Sequence, residues 1–427
     1  MRVLWFTNVP LDAVNRRAGL PTQGSGFWMH ALISPLTRSG KVKLAVVSAS
    51  TKYPRMRFEE DGVEYFNIPQ NRILEAFDLF PRARETRSLR EAAALIDEWK
   101  PDLLHVYGTE RFFGLIRARN LVQVPTVVQM QTVMVEYARM YWGSMTWRDV
   151  LRNTTLWEIS RNATMPADAR RHRRQAATER QILDSVEGVL GRTDWDRSHT
   201  HLINPGVPYF HVEDMMRPEF GLAEPWSLNT ARRGDLITTS APGAAKGVDV
   251  LLRAVHALRK WGHDVRLKVA GLSRSTARRA SDRFLFKLVE ELGLGDVVQF
   301  LGWRRGSELV SLLQESHCFI TSSYIENGCN ALSEAQLVGT PCVATHTGGM
   351  TTTIRDNHTG LLFSSGDAAM LAAKVEGILK DDALASRLGA EARREAGKRH
   401  DPVRIVEALM DTYERVAASQ KPLRDVQ

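Results

Sequence analysis

The sequence predicts an α/β protein made of two doubly wound domains facing each other across a cleft. Three observations carry that prediction. Short apolar runs alternate with longer amphipathic ones through both halves, the pattern of parallel βαβ units. A stretch rich in Pro, Gly and polar residues, 205–234, interrupts the alternation, which then restarts. At 427 residues, 43% hydrophobic and 25% charged, the chain is long enough for about two domains, each burying its own core.

The elements follow in chain order. "RVLWFTNV" reads as a first strand rather than a signal peptide, because no small-residue cleavage site follows it. "FWMHALISPLTRSG" reads as a helix that carries Pro35 and stops at Gly40. "VKLAVVS" is a strand, and "LREAAALIDEWK" has helical apolar spacing that Pro101 ends. "DLLHVYG", "VPTVVQMQ" and "GVLGRT" are the remaining strands of this half. After the break come "DLITTSAP", a helix over "GVDVLLRAVHALRKWG", and then "VRLKVAG", "VVQFLGW", "CFITSSY", "PCVATH" and "GLLF", with helical segments between them. The predicted domains are 1–213 and 214–401. An amphipathic helix at 402–420 follows the second sheet and is free to complete the first domain.

Composition narrows the function classes. No apolar run reaches the roughly 18 residues that span a bilayer. Three cysteines, Cys318, Cys329 and Cys342, have neither zinc nor redox-pair spacing and read as reduced thiols of a cytoplasmic protein. The net charge of +8 is uneven, with 29 Lys+Arg against 23 Asp+Glu in residues 1–213. That excess suits an anionic partner. No nucleic-acid-binding motif accompanies it, which turns the reading from nucleic acid toward an anionic membrane surface or an anionic acceptor. Residues 71–90, "NRILEAFDLFPRARETRSLR", set Ile73, Phe77 and Phe80 beside Arg82, Arg84, Arg87 and Arg90, and "ADARRHRRQ" at 167–175 adds basic charge. Apolar anchors beside cations fit such a surface, and a helix end followed by a solvated loop would read the same way.

Four constellations carry chemistry. In "SYIENGCNALSEAQLVGTPCVATHTGG" a strand leads through a loop into a helix, with Asn330 as expected N-cap and Gly339 as stop. A helix N-terminus at a strand end offers N–H groups to phosphate. Glu334 falls in the second turn, where a carboxylate accepts both hydroxyls of a vicinal diol, or serves the helix dipole without a ligand. Glu326 lies in the loop, able to take hydroxyls of a second sugar, or simply solvated. In "SAPGAAKGVDVLLRAV" Lys246 and Gly247 open a helix after small residues that let a diphosphate approach the backbone. In "PTQGSGFWMHAL" Gly24, Ser25 and Gly26 precede a helix, as a phosphate or acceptor loop does. In "HVYGTE" a strand end presents Thr109 and Glu110 to an acceptor or sugar, while His105 reads as packed within the strand. No metal site is expected, since neither an Asp-x-Asp at a strand end nor a His pair at helical spacing occurs.

The second half resembles the family 4 glycosyltransferases, retaining enzymes of the GT-B fold with two Rossmann-like domains. "VAG" (269–271), "FLGW" (300–303), the long Glu326–Glu334 stretch and "TGLLF" (359–363) stand in that family's order and spacing. "PDLLHVYGTE" and "GRTDWDR" in the first half resemble a subgroup associated with bacterial surface-polysaccharide synthesis. The resemblance implies that Glu334 holds the ribose of a nucleotide sugar and that Glu326 meets the transferred sugar. Backbone amides of Asn327, Gly328, Cys329 and Asn330 meet sugar and diphosphate, Lys246 and Gly247 the leaving diphosphate, and the loops after Gly271 and Gly302 the base. It implies a co-substrate rather than a cofactor, a UDP-sugar before a GDP-sugar, with no metal needed. It also implies front-face transfer to a glycan, lipid-linked or polysaccharide acceptor, the departing phosphate taking the acceptor's proton. The cysteines and the basic first half add the expectation of a cytoplasmic enzyme, peripheral on the inner membrane face. Two departures stand out. Asn327 is inserted after Glu326, and Ser240 and Ala241 occupy a place where many relatives carry a phosphate-binding arginine. Arg192 at a first-domain strand end is the expected substitute. A nucleotide-sugar epimerase and a non-catalytic protein of the same fold are the alternatives.

Overall fold

The structure, a computed structural model, describes residues 1–20, 26–77, 79–240, 242–275 and 277–419. The chain divides into two compact units. The first gathers Met1–Val135, Arg171–Met215 and the chain from Asp401; the second gathers Glu136–Arg170 and Met216–His400.

The first unit is built on an eight-stranded sheet: β1 (Arg2–Thr7), β2 (Lys43–Ser50), β3 (Met56–Glu60), β4 (Val63–Pro69), β5 (Leu103–Tyr107), β6 (Thr126–Gln129), β7 (Gly188–Gly191) and β8 (Tyr209–His211). Its order is β3-β4-β2-β1-β5-β6-β7-β8. All neighbours are parallel except β3, which runs antiparallel to β4 as a hairpin around Asp61 and Gly62. The period of two along β1 gives the sheet two cores. Val3 and Trp5 pack on one face, Leu4 and Phe6 on the other. Helix Pro402–Ala418 belongs to this unit and seats Ile405, Leu409, Tyr413 and Val416 on the Trp5 face. There the Trp5 indole N–H donates to the Tyr413 hydroxyl at 2.9 Å, and His105 Nδ1 lies 2.7 Å from the same oxygen. His105 is fully buried and ties the last helix to β5.

The second unit holds a wholly parallel six-stranded sheet: β9 (Arg232–Thr239), β10 (Arg266–Ala270), β11 (Val298–Gly302), β12 (Ser316–Thr321), β13 (Cys342–His346) and β14 (Leu361–Ser364). Its order is β11-β10-β9-β12-β13-β14. All three cysteines are buried and unpaired. In each sheet the chain builds outward from its first strand and then returns to that strand's other side. The reversals fall between β1 and β5 and between β9 and β12. Crevices at such reversals, past the strand C-termini, are where open α/β sheets bind ligands.

The units are not the contiguous pieces, 1–213 and 214–401, read from the sequence. Residues Glu136–Arg170 leave the first unit and pack with the second. The cause is a small core of their own, in which Met145, Val150 and Met165 bury against Ala280, with Trp142, Ala244 and Phe284 around them. Polar bonds fix it. The Ser144 hydroxyl donates to Asp249 at 2.6 Å, Arg279 to Asp168 at 2.7 Å, and the Ala280 N–H to Glu158 at 3.0 Å.

Candidate active site

The reversal between β9 and β12 is assembled by backbone contacts that only glycine permits. After β9 a short 3-10 turn, Ala244–Lys246, runs into helix Val248–Lys260 through Gly247 at φ 65°. A Cβ on Gly247 would stand 1.9 Å from the Ser322 carbonyl oxygen, just past β12. The two loops are sewn together by Ser322 Oγ donating to Gly247 O at 2.7 Å and the Tyr324 N–H donating to Ala245 O at 2.8 Å. This approach delivers Lys246 Nζ to Glu326 Oε1 at 2.5 Å, and Ser323 Oγ donates to the same oxygen at 2.9 Å. The Glu326 backbone is fixed as well: Gly349 N–H donates to its carbonyl at 3.0 Å, past Gly348, where a Cβ would collide with that oxygen. Burial works against the Lys246 ammonium, but Glu326, Cys329 and Tyr137 outweigh it and raise the lysine's pKa. The lysine is therefore held as a cation at the mouth of the crevice.

Glu334 lies in the helix that this loop enters, Asn330–Val338, and is buried. Its Oε1 accepts two bonds from one guanidinium, Arg217 Nε at 2.9 Å and Nη2 at 2.7 Å. Burial pushes the Glu334 carboxyl up, to about 7, while Arg217 pulls it down. Cys329, not Asn330, is the N-cap residue of this helix, and its side chain makes no capping bond. That corrects the expected cap: Asn330 already has helical geometry. Asn327 and Cys329 are buried, in the loop between Glu326 and the helix. Gly271, just past β10, and Gly302, the last residue of β11, both have positive φ. The Gly271 N–H donates to Gly302 O at 2.7 Å and the Gly302 N–H to Leu272 O at 2.8 Å, while a Cβ on Gly271 would meet Ser240 O at 2.4 Å. The ends of β9, β10 and β11 are thereby drawn into one rim.

The reversal between β1 and β5 has a different chemistry. Asn8 Nδ2 donates to Glu110 Oε1 at 2.7 Å, while Glu110 Oε2 and Asn8 Oδ1 are buried without a protein donor. Thr109 is fully buried and its hydroxyl donates to Glu179, which also accepts the Met134 N–H at 2.9 Å. Thr109 therefore supports Glu179 rather than offering itself to a ligand. Burial raises Glu110, and raises Glu179 to about 7 with Glu110 adding to the shift. Gly26 is the N-cap of helix Phe27–Arg38, at φ 73°; Gly24 and Ser25 lie outside the described residues, as does Ala241. Arg192, expected as a spare cation, is buried and pairs with Asp214 at 2.6 Å, so its charge is already matched inside the first unit. Among the described residues no group of three or more His, Cys, Asp or Glu is placed to hold a metal ion.

Residues 24–209 match the glycosyl transferase 4-like domain, and residues 233–395 match the glycosyl transferases group 1 domain. The chain belongs to the group 1, family 4-like glycosyltransferases. The D-inositol 3-phosphate glycosyltransferase of Stackebrandtia nassauensis is 33% identical over 182 residues, which is 41% of this chain and 41% of that relative, so the chain spans less than half the length of the relative it matches. Among solved structures, sucrose-phosphate synthase from Thermosynechococcus elongatus superposes with a TM-score of 0.72 at 17% identity, covering 98% of this chain and 100% of that one. Anabaena HepE in complex with UDP-glucose gives 0.66 at 15%, covering 97% and 100%. At such identities the likeness speaks to fold alone, and the fold is GT-B.

Within this glycosyltransferase scaffold the sequence missed three groups. Arg217 stands in a stretch read only as linker, and nothing in its neighbourhood marks it as the partner of Glu334. Glu179 sits near the C-terminal end of helix Met165–Leu183, past a basic run at 170–174 that draws attention from an inward-facing acid. Asp249, at the start of helix Val248–Lys260, takes bonds from Ser144 and from the Tyr324 hydroxyl at 3.0 Å, bracing the turn that carries Lys246. Its only signal was an acid in the first turn of a helix, which the dipole alone explains.

Proposed function

We propose that the protein transfers a sugar, with retention of configuration, from a nucleotide sugar to a glycan, lipid-linked or polysaccharide acceptor. The observation that carries this is the Lys246–Glu326 pair, built at the β9/β12 reversal by a glycine contact, with Glu334 on the following helix. In the proposed reaction the acceptor hydroxyl attacks the anomeric carbon as its bond to the diphosphate oxygen breaks, and the hydroxyl proton passes to the departing phosphate. Lys246 neutralises the leaving diphosphate, Glu326 holds hydroxyls of the transferred sugar, and Glu334 takes the ribose diol. Cation and helix N-terminus supply the charge, so the scheme needs no metal. UDP is the preferred nucleotide, supported by the fold shared with HepE, solved with UDP-glucose. Arg192 serves as a second cation only by releasing Asp214. Glu110 and Asn8, with their unpartnered oxygens, are proposed to receive acceptor hydroxyls. The family matches lend nothing to the epimerase alternative. Action at the inner membrane face, as a peripheral protein, is part of the proposal. It draws on exposed Ile73 and Phe80 beside exposed Arg82, Arg87 and Arg90. Among the described residues no helix is long and apolar enough to cross a membrane.

The test is a thermal-shift screen against nucleotides and nucleotide sugars, repeated on Lys246→Ala and Glu334→Ala. One ligand is expected to stabilise the wild type and neither variant, and with it Lys246→Ala is expected to lower turnover about 10²–10³-fold. Equal shifts in all three proteins would defeat the assignment.

A further inference from the structure

The segment Glu136–Arg170 has an inner face, described above, and an outer one that nothing in the second unit covers. Its two short helices, Trp147–Asn153 and Leu156–Ser160, each begin with a full capping box, at Thr146/Asp149 and Thr155/Glu158. Capping rather than burial therefore accounts for much of their local order. Val150 and Asn153 turn inward. Outward stand Trp147 (61% exposed), Leu151 (72%), Leu156 (85%) and Ile159 (60%). Trp147 and Leu151 are one turn apart, as are Leu156 and Ile159, so each helix presents an apolar pair. Four large apolar side chains this exposed, in a stretch of thirteen residues, are more than the scattered surface leucines of an ordinary soluble face.

The charges on the segment are sorted by depth. By sequence it is nearly neutral, with five arginines against four acids. In the structure Glu158 and Asp168 are buried, on the Ala280 N–H and Arg279 respectively, and Asp149 is spent on the Thr146 cap at 2.9 and 2.6 Å. Between residues 141 and 165 every exposed charged side chain is an arginine: Arg148, Arg152 and Arg161. Arg148 and Arg152 flank the Trp147–Leu151 pair one residue on, and Arg161 lies over the Trp157 ring at 5.5 Å. A face with a tryptophan and aliphatic residues, fringed by cations with the acids withdrawn, is complementary to an anionic lipid surface, where apolar tips enter the headgroup boundary and guanidinium groups meet phosphate.

We propose that the outer face of Trp147–Arg161 docks on an anionic bilayer. The same segment braces the turn carrying Lys246 through Ser144 and Asp249, so lipid contact is applied directly to the unit that holds the proposed donor site. The proposal takes from the functional reading its peripheral membrane action and adds a surface distinct from residues 73–90; that surface rests on the exposures and charges above.

The experiment is co-sedimentation of the full chain with phosphatidylcholine vesicles, with and without phosphatidylglycerol. Two variants are compared with the wild type: Leu151→Ser/Leu156→Ser/Ile159→Ser, and Arg148→Gln/Arg152→Gln/Arg161→Gln. All substituted positions are exposed, and circular dichroism melts check that folding is intact. The wild type is expected to bind the anionic vesicles only, more weakly as salt rises. Each arginine removed is expected to weaken partitioning about fivefold, and the apolar variant to weaken it at least as much as the triple arginine variant, leaving only what residues 73–90 contribute. No vesicle binding by the wild type, or binding undiminished in both variants, overturns the proposal. So does a wild-type dimer in size-exclusion chromatography that the apolar variant dissociates, which would make the face a protein interface. Nucleotide thermal shifts on the same variants separate the two readings. Unchanged shifts with weakened vesicle binding leave the donor site standing, and absent shifts in the wild type count against the functional reading alone.

Discussion

The two sheets reverse in the same way beside their first strands, and both place carboxylates there, but they hold them by opposite means. At the β9/β12 reversal each acid faces a cation, Glu326 with Lys246 and Glu334 with Arg217. At the β1/β5 reversal the bonds to Glu110 and Glu179 come from neutral groups: the Asn8 amide, the Thr109 hydroxyl and the Met134 N–H. Topology thus sets where a site sits, and side-chain charge sets what it takes. A crevice with paired cations meets an anionic ligand by exchanging one acidic partner for another. A crevice whose acids are held by neutral donors, with two acceptor oxygens unpartnered, suits hydroxyl groups better than phosphate. On this argument the proposed acceptor is a neutral, hydroxyl-bearing group where it meets Glu110, even though the relative named above is a D-inositol 3-phosphate glycosyltransferase.

Three changes would break or sharpen that contrast. Arg217→Ala strands Glu334 as a buried acid without its cation and is expected to cost about 4 kcal/mol in denaturant unfolding. Replacing both residues, Arg217→Met with Glu334→Leu, should recover most of that loss. If the single change proves almost silent, the donor-side acids do not depend on their cations and the contrast falls. Glu179 supplies the opposite case. Its carboxyl is raised from 4.5 to about 7 in the folded state, so between those values the folded protein holds more protons than the unfolded chain. Stability contributed by that proton is present at low pH and lost as pH rises through about 7, by up to about 3 kcal/mol. Glu179→Gln should remove this fall and be more stable than the wild type at pH 8, with the two converging near pH 5. A stability difference independent of pH between 5 and 8 would show that Glu179 is ionised throughout. The smallest effect is expected from Glu110→Gln, about a tenfold rise in acceptor KM, the cost of one hydrogen bond to a charged group. Nucleotide-induced thermal shifts should not change. A loss of nucleotide binding instead would place Glu110 in donor recognition.

Much of the second unit was legible beforehand, and less of the first. β9 to β14 all read as apolar runs, because strands buried on both faces of a parallel sheet carry few polar residues. Glu326, Glu334 and Lys246 stood out for the same reason, as charges at the edges of apolar runs. In the first unit the β3–β4 hairpin carries little local signal, and β8 falls inside the 205–234 stretch that reads as a linker. "MRFEE" is a half-exposed edge strand with two acids, and its period of two is carried by too few residues. The helices between Met134 and Leu183 carry little local signal as well. Met165–Leu183 is so rich in arginine that it reads as a basic loop, and the two short capped helices before it bury too little to show a helical stripe.

Sequence alone determined the α/β class, all six strands of the second sheet and five of the eight of the first, and the three charged residues of the second crevice, because each is a local consequence of periodicity or strand-end placement. Only the tertiary structure decided which charge meets which. Lys246 and Glu326 are eighty residues apart, Arg217 and Glu334 more than a hundred, and such pairs depend on how closely two loops approach, which at Gly247 is a matter of one missing Cβ. Tertiary structure also decided that Glu136–Arg170 leaves its neighbours in sequence for the second unit. That choice is made by a few buried methionines and three polar bonds to residues more than a hundred positions away, and no local pattern encodes it.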